Sequence, residues 1–243
     1  MQSMQSESPG YTVVIQKTRR KKTIGFRVMA DGTVQVSVPK HCSQDDIHVW
    51  IARKKTWIAR HLRLLQQRAV LAPARQYRNG EYFYVLDQAY PLQQLPLQPS
   101  GTLVRLTEKS MDVYTGDLAN LTQQMLQEQI KHRITSWYQE TAQNMLTART
   151  LYFAQKLQCQ PRKILVKAYK SRWGCCSMDQ TISYNRNIIM APQKVIDYVI
   201  VHELCHIRHH HHGKSFWQAV AQAMPDYSSS RVWLKEHGYR LFI

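Results

Sequence analysis

Apolar and β-branched residues alternate with polar ones in three early segments. Tyr11 to Gln16, Ile24 to Ala30 and Thr33 to Val38 each read as a strand. Asp31-Gly32 between the last two is a hairpin signal. A turn between the first two would present the basic run Lys17 to Lys22. Past Pro39 the period changes. Ile47, Trp50, Ile51, Trp57, Ile58, Leu62 and Leu65 recur near helical spacing. Ser43 is placed to cap that helix, with Asp45 and Asp46 in its first turn. The pattern predicts a helix over about 43–68. Short strands follow at Tyr82–Leu86 and Tyr90–Gln94, then a hairpin of Leu103–Leu106 with Met111–Tyr114.

A stretch with neither Gly nor Pro, from Leu121 to about Ala148, predicts a long helix. Lys163–Lys167 and Gln180–Tyr184 read as strands. Pro192 opens a helix through about His209. Helices from Lys214 to Met224 and from about Ser229 to His237 complete the chain. The fold class is α+β. The expected organisation is a disordered tail over 1–10, a β-rich N-terminal domain over 11–118 and a second domain over 119–243.

Composition narrows the class. The 243 residues are 44% hydrophobic, which excludes general disorder. No apolar run is long enough to span a membrane, and the N-terminus does not read as a secretory signal. Five cysteines, an odd number with Cys175 and Cys176 adjacent, do not suggest a disulfide framework, so a reducing cytoplasm is the expected compartment. The net charge of +17 implies an anionic substrate or a polyanionic partner such as nucleic acid. Charge is concentrated at Lys17 to Lys22 and again from Arg53 to Arg63.

The strongest chemical signal is His202-Glu203-Leu204-Cys205-His206. Chance matches to HExxH in this composition number roughly 0.01. On a helix, residues four apart differ by about 40°, so both imidazoles project from one face and can chelate one ion. Glu203 is one step round, badly placed to ligate but able to reach a metal-bound water. Zinc in a hydrolase wants a third protein ligand and an open fourth position. On a continuous helix His209 would lie about 10 Å along the axis from His202, too far to share the ion. His212 is better placed, since Gly213 beside it can take the backbone angles of a sharp exit. His209 to His211 read as exposed or supporting residues. Cys175, Cys176 and Cys205 read as small packed residues rather than a soft metal site.

Further residues carry a resemblance. Ser171-Arg172-Trp173-Gly174-Cys175-Cys176-Ser177, then Ile182-Ser183-Tyr184-Asn185, Ala191-Pro192, the HExxH helix, His212 and Phe216-Trp217 resemble the YgjP-like metallopeptidase domain family. That family is related to the SprT-like and WLM zincins. The chain departs at Cys175 where the family has Ser, at Tyr184 where it commonly has Leu, and at Gly213 where it commonly has Ser. The resemblance covers about residues 11–238. It implies a gluzincin-like C-terminal domain with a sheet beside the metal helix. It also implies a zinc hydrolase with His202, His206 and His212 as ligands and Glu203 as general base.

Part of that family carries the name UTP pyrophosphatase, so two substrate classes stay open. One is a polypeptide. The other is a nucleoside triphosphate, with Mg²⁺ assisting. A nucleic-acid adaptor with a structural zinc is the non-enzyme alternative. Arg172, Trp173 and Asn185 are candidate substrate-binding residues, each with a competing structural role. Oligomeric state is not legible in the sequence.

Overall fold

A computed structural model describes residues 3–8, 10–19, 23–29, 31–71, 75–96, 103–118 and 121–243. The chain forms two compact units, Met1–Ala74 and Arg75–Ile243. It is α+β, as the pattern predicts.

The first unit holds β1 (Ser3–Ser8), β2 (Tyr11–Thr18), β3 (Gly25–Val28), β4 (Val34–Pro39) and α1 (Gln44–Leu71). The sheet order is β1-β2-β4-β3. Its strands alternate, and Val13, Ile15, Val34, Val36 and Val38 are buried against Ile47, Ile51 and Ile58 of α1. Ser43 caps α1: its Oγ accepts from the Asp46 N–H at 3.1 Å.

Two expectations are corrected here. Ser3–Ser8 pairs antiparallel with β2 instead of forming a disordered tail. The segment is polar, and backbone pairing with a neighbour leaves no trace in hydrophobic pattern. Nor do β2 and β3 form a hairpin. β4 lies between them, parallel to β2 and antiparallel to β3. Lys17 and Arg19 are exposed at the end of β2, while residues 20–22 of the basic run lie outside the described residues.

The second unit begins with β5 (Tyr82–Val85), β6 (Gln88–Leu95), β7 (Val104–Leu106) and β8 (Met111–Tyr114), in sheet order β5-β6-β8-β7. The long helix α2 (Gln123–Lys156) follows. Ile130, Ile134, Tyr138, Ala142, Leu146, Thr150 and Ala154 form one buried i, i+4 stripe, with Arg133 buried beside it. The helix runs two turns beyond the expected end at Ala148, because nothing from Arg149 to Lys156 breaks it.

The strand-rich region 75–118 therefore does not close a domain at residue 118. Phe83, Val85, Leu92, Met111 and Val113 share one core with Ile130, Ile134 and Tyr138 of α2. The division falls after Ala74 because strand composition says nothing about which apolar face the strands cover.

A second small sheet carries β9 (Lys163–Lys167), β10 (Gly174–Cys176) and β11 (Thr181–Asn185) in the order β10-β11-β9. β10 pairs antiparallel and β9 parallel with β11. A tight 3₁₀ turn over Arg186–Met190 leads to α3 (Gln193–Cys205), α4 (Lys214–Ala223) and α5 (Tyr227–His237). Arg149 of α2 clamps Asp197 of α3 with two bonds of 2.7 Å, which ties the long helix to α3.

Candidate metal centre

α3 is buried along almost its whole length, with Val195, Ile196, Val199, Ile200, Val201 and Leu204 in the core. The HExxH pattern closes the helix, where His202 and His206 are half-buried while Glu203, Leu204 and Cys205 are buried. The helix stops at Cys205, four residues before the expected His209. The backbone tightens there: the His206 N–H donates to the Glu203 carbonyl, and the Ile207 N–H to the Leu204 carbonyl. Leaving the helix early frees the chain to turn back over its own last turn.

His212 comes back on that turn. Its Nε2 lies 3.0 Å from His202 Nε2 and 3.1 Å from His206 Nε2. All three donor atoms lie within 4.8 Å of one another. Two nitrogens bound tetrahedrally to zinc at 2.0–2.1 Å would stand about 3.3 Å apart, so the three lone pairs meet at the spacing one ion needs. Gly213 is not the reason for the turn. Its φ of −78° is ordinary, and it serves as N-cap of α4.

The tautomer of one imidazole is fixed. His206 Nδ1 lies 3.0 Å from the His209 carbonyl, so Nδ1 carries the proton and Nε2 keeps its lone pair for a metal. The supporting role within the histidine run thus belongs to the backbone of His209, while the side chains of His210 and His211 are exposed. His202 Nδ1 is buried with no hydrogen-bond partner among the described residues. Burial first, then the neighbouring His206 and His212, hold its pKa down at about 3. His206 is lowered chiefly by burial as well. Neutral imidazoles are the metal-binding form.

Aromatic rings pack around the three imidazoles. Phe216 of α4 is fully buried, its ring 4.5–4.9 Å from those of His202, His206 and His212. Trp217 stacks on His212 at 5.8 Å and on Tyr227 at 5.5 Å, with the Arg231 guanidinium 4.9 Å from its ring. The Phe216-Trp217 pair reads as core packing in the sequence. Its spacing after His212 is the signal that places it at the site. Tyr198 lies one turn before His202, its ring 5.8 Å from the imidazole. Tyr227 and Arg231 carry no such signal.

Glu203 is 6% exposed. Burial pushes its pKa up to about 8, against the pull of the Cys176 backbone N–H and the Arg172 charge. It lies against β10, where Gly174 leaves room for it: a Cβ on Gly174 would stand 2.4 Å from Glu203 Oε1.

The remaining candidates separate by what they touch. Arg172 is exposed, its guanidinium 5.5 Å from the Tyr169 ring and within electrostatic reach of Glu203. Trp173 is half-buried in the main core and packs against Gly238. Asn185 is 4% exposed, and its Nδ2 donates to the carbonyls of Tyr169 at 2.8 Å and Arg172 at 3.2 Å. It holds the loop that carries Arg172. All five cysteines are free, and burial pushes the Cys176 and Cys205 thiols up to about 11, so they are neutral.

Three converging imidazoles beside a buried carboxyl are a candidate metal-binding site on an α+β scaffold. The model of the YgjP-like metallopeptidase domain matches residues 22–237. The chain belongs to that family. No curated protein matches it. A solved structure with partial likeness is that of the metallopeptidase zymogen of Pyrococcus abyssi abylysin, at 20% sequence identity and a TM-score of 0.34, over 37% of this chain and 93% of that one.

Proposed function

We propose that this protein is a zinc-dependent peptide hydrolase with His202, His206 and His212 as the metal ligands and Glu203 as the general base. The carrying observation is the convergence of the three Nε2 atoms beside the buried Glu203 carboxyl. An all-imidazole donor set suits zinc, whereas magnesium prefers oxygen ligands. Among the described residues no further His, Cys, Asp or Glu joins the three, which leaves a position open for catalysis, where a structural zinc would have four protein ligands.

When bound, zinc supplies Lewis acidity, polarising an acyl oxygen and acidifying a water. The protein's own residues do the rest. Glu203 accepts a proton from the attacking water at a carboxylate oxygen and delivers it to the departing amide nitrogen. Gly174 of β10 leaves the space in which the Glu203 carboxyl sits. The rings of Phe216 and Trp217 hold the imidazoles in place and keep bulk water from their inner side.

The position of β10 favours a peptide. It is an edge strand, and the Cys176 N–H on its outer edge points to Glu203. An extended polypeptide beside that edge would find backbone partners next to the reacting groups.

A second reading is hydrolysis of a nucleoside triphosphate. The exposed Arg172 and Arg231 favour it, since each acts electrostatically on a residue of the HExxH motif, Arg172 on Glu203 and Arg231 on His202. The test is a side-by-side assay of zinc-loaded protein on an unfolded polypeptide and on UTP, each against Glu203→Gln. Cleavage of polypeptide alone, lost in the variant, supports the peptide reading. Glu203-dependent cleavage of UTP alone replaces it with the second.

A further inference from the structure

The charge of the first unit has no counterpart inside it. Residues 1–74 carry 13 Lys and Arg against 4 Asp and Glu, a net of +9. All nine described cations there, from Lys17 to Arg63, are exposed. Among the described residues none of them is in an ion pair, and every ion pair joins two residues of Arg75–Ile243. An ordinary solvated helix face intersperses both signs. α1 does not: after Asp45 and Asp46 in its first turn it has no further acid to its end at Leu71.

The cations of α1 are also ordered. Ile47, Ile51 and Ile58 point into the core, which leaves Arg53, Arg60 and Arg63 on the outward side. Arg53 and Arg60 are seven residues apart and differ by only about 20° round the helix. Arg53 to Arg63 spans about 15 Å of axis, the length of about four stacked nucleotides of one strand. The adjoining ridge carries Ala52, Thr56 and Ala59, all small and exposed, with Lys55 beyond them. A phosphate backbone could approach the helix closely between Arg53 and Arg60 on one side and Lys55 on the other. At one end Trp50 is 40% exposed, with the Arg53 guanidinium 5.4 Å from its ring. An exposed indole beside a cationic track is a platform for an unpaired base.

We propose that the outward face of α1 binds single-stranded nucleic acid, with Arg53, Lys55, Arg60 and Arg63 on phosphates and Trp50 stacked on a base. The inference is independent of the hydrolytic reading, since every residue in it lies in the first unit.

The test is fluorescence anisotropy of a labelled single strand of about 20 nucleotides, and of its duplex, against full-length protein over a salt series. Four phosphate contacts predict a log K versus log salt slope of about −3 for the single strand. R53E/R60E should bind at least tenfold more weakly and flatten the slope by about 1.4. Trp50→Ala should weaken single-strand binding by about tenfold, leave the slope unchanged and affect the duplex little. The milder R60Q/R63Q, checked by thermal unfolding, keeps the test valid should charge reversal disturb folding. It too should flatten the slope by about 1.4. No binding of the single strand at low salt overturns the proposal. So does binding that none of the three variants alters, or tighter binding of duplex with Trp50→Ala without effect.

Discussion

Gly174 and Glu203 touch so closely that no side-chain carbon fits between them. A Cβ at Gly174 would lie 2.4 Å from Glu203 Oε1, 2.6 Å from its Cγ and 2.7 Å from its Cδ. Glu203 is 6% exposed and has little space into which to retreat. The glycine is thus required by space, and it fixes where the carboxyl sits relative to β10 and the three imidazoles.

Gly174→Ala should push the Glu203 side chain out of place without touching a metal ligand. Hydrolysis should fall by about 10²-fold or more, comparable with losing a general base. Zinc content should stay near that of wild type. The two quantities are read on one sample, by elemental analysis and by turnover. Wild-type turnover in this variant would show that the position of Glu203 is not critical.

The proposed ligand set predicts one divalent ion per chain. His206→Ala should reduce retained zinc well below that after dialysis, because two imidazoles chelate far less well than three. A variant with His210 and His211 replaced by Asn serves as control. Both side chains are exposed, and zinc should be retained in full. Full retention in His206→Ala would remove that residue from the ligand set.

Burial of Glu203 makes a pH prediction for the chelator-treated protein. Its pKa is raised from an ordinary 4.5 to about 8. The folded state therefore holds a proton that the unfolded state releases. The stability this allows is full below about pH 4.5 and is lost as pH rises toward 8. Glu203→Gln never ionises. Its stability relative to wild type should therefore grow from pH 5 to pH 8, by a few kcal/mol at about 1.4 kcal/mol per pH unit. Urea unfolding of both proteins at the two pH values measures it. A difference that does not change with pH would contradict the buried, proton-holding carboxyl.

Much of this architecture was legible in the chain, and the gaps have physical causes. The core strands and helices follow from apolar periodicity, and the i, i+4 stripe of α2 shows it from Ile130 to Ala154. β1 was hidden because Ser3–Ser8 pairs through its backbone and has no apolar pattern. β10 was hidden because it is only Gly174–Cys176, shorter than any period can reveal. The division expected at residue 118 falls after Ala74 instead, because packing partners, not composition, assign strands to a core. At the site, His202 and His206 follow from helical spacing alone. The position of His212 depends on the helix ending at Cys205, which no residue there announces. The contacts of Trp217 with His212, Tyr227 and Arg231 join segments whose approach only the folded chain reveals.

The most direct test compares zinc-loaded wild type with Glu203→Gln on an unfolded polypeptide, with zinc measured in the same preparations. Gln keeps the size of the side chain but cannot accept the proton from water. The account predicts equal zinc in the two proteins and a fall in cleavage of about 10²-fold or more. Cleavage by Glu203→Gln within a few-fold of wild type, at equal zinc, would contradict it.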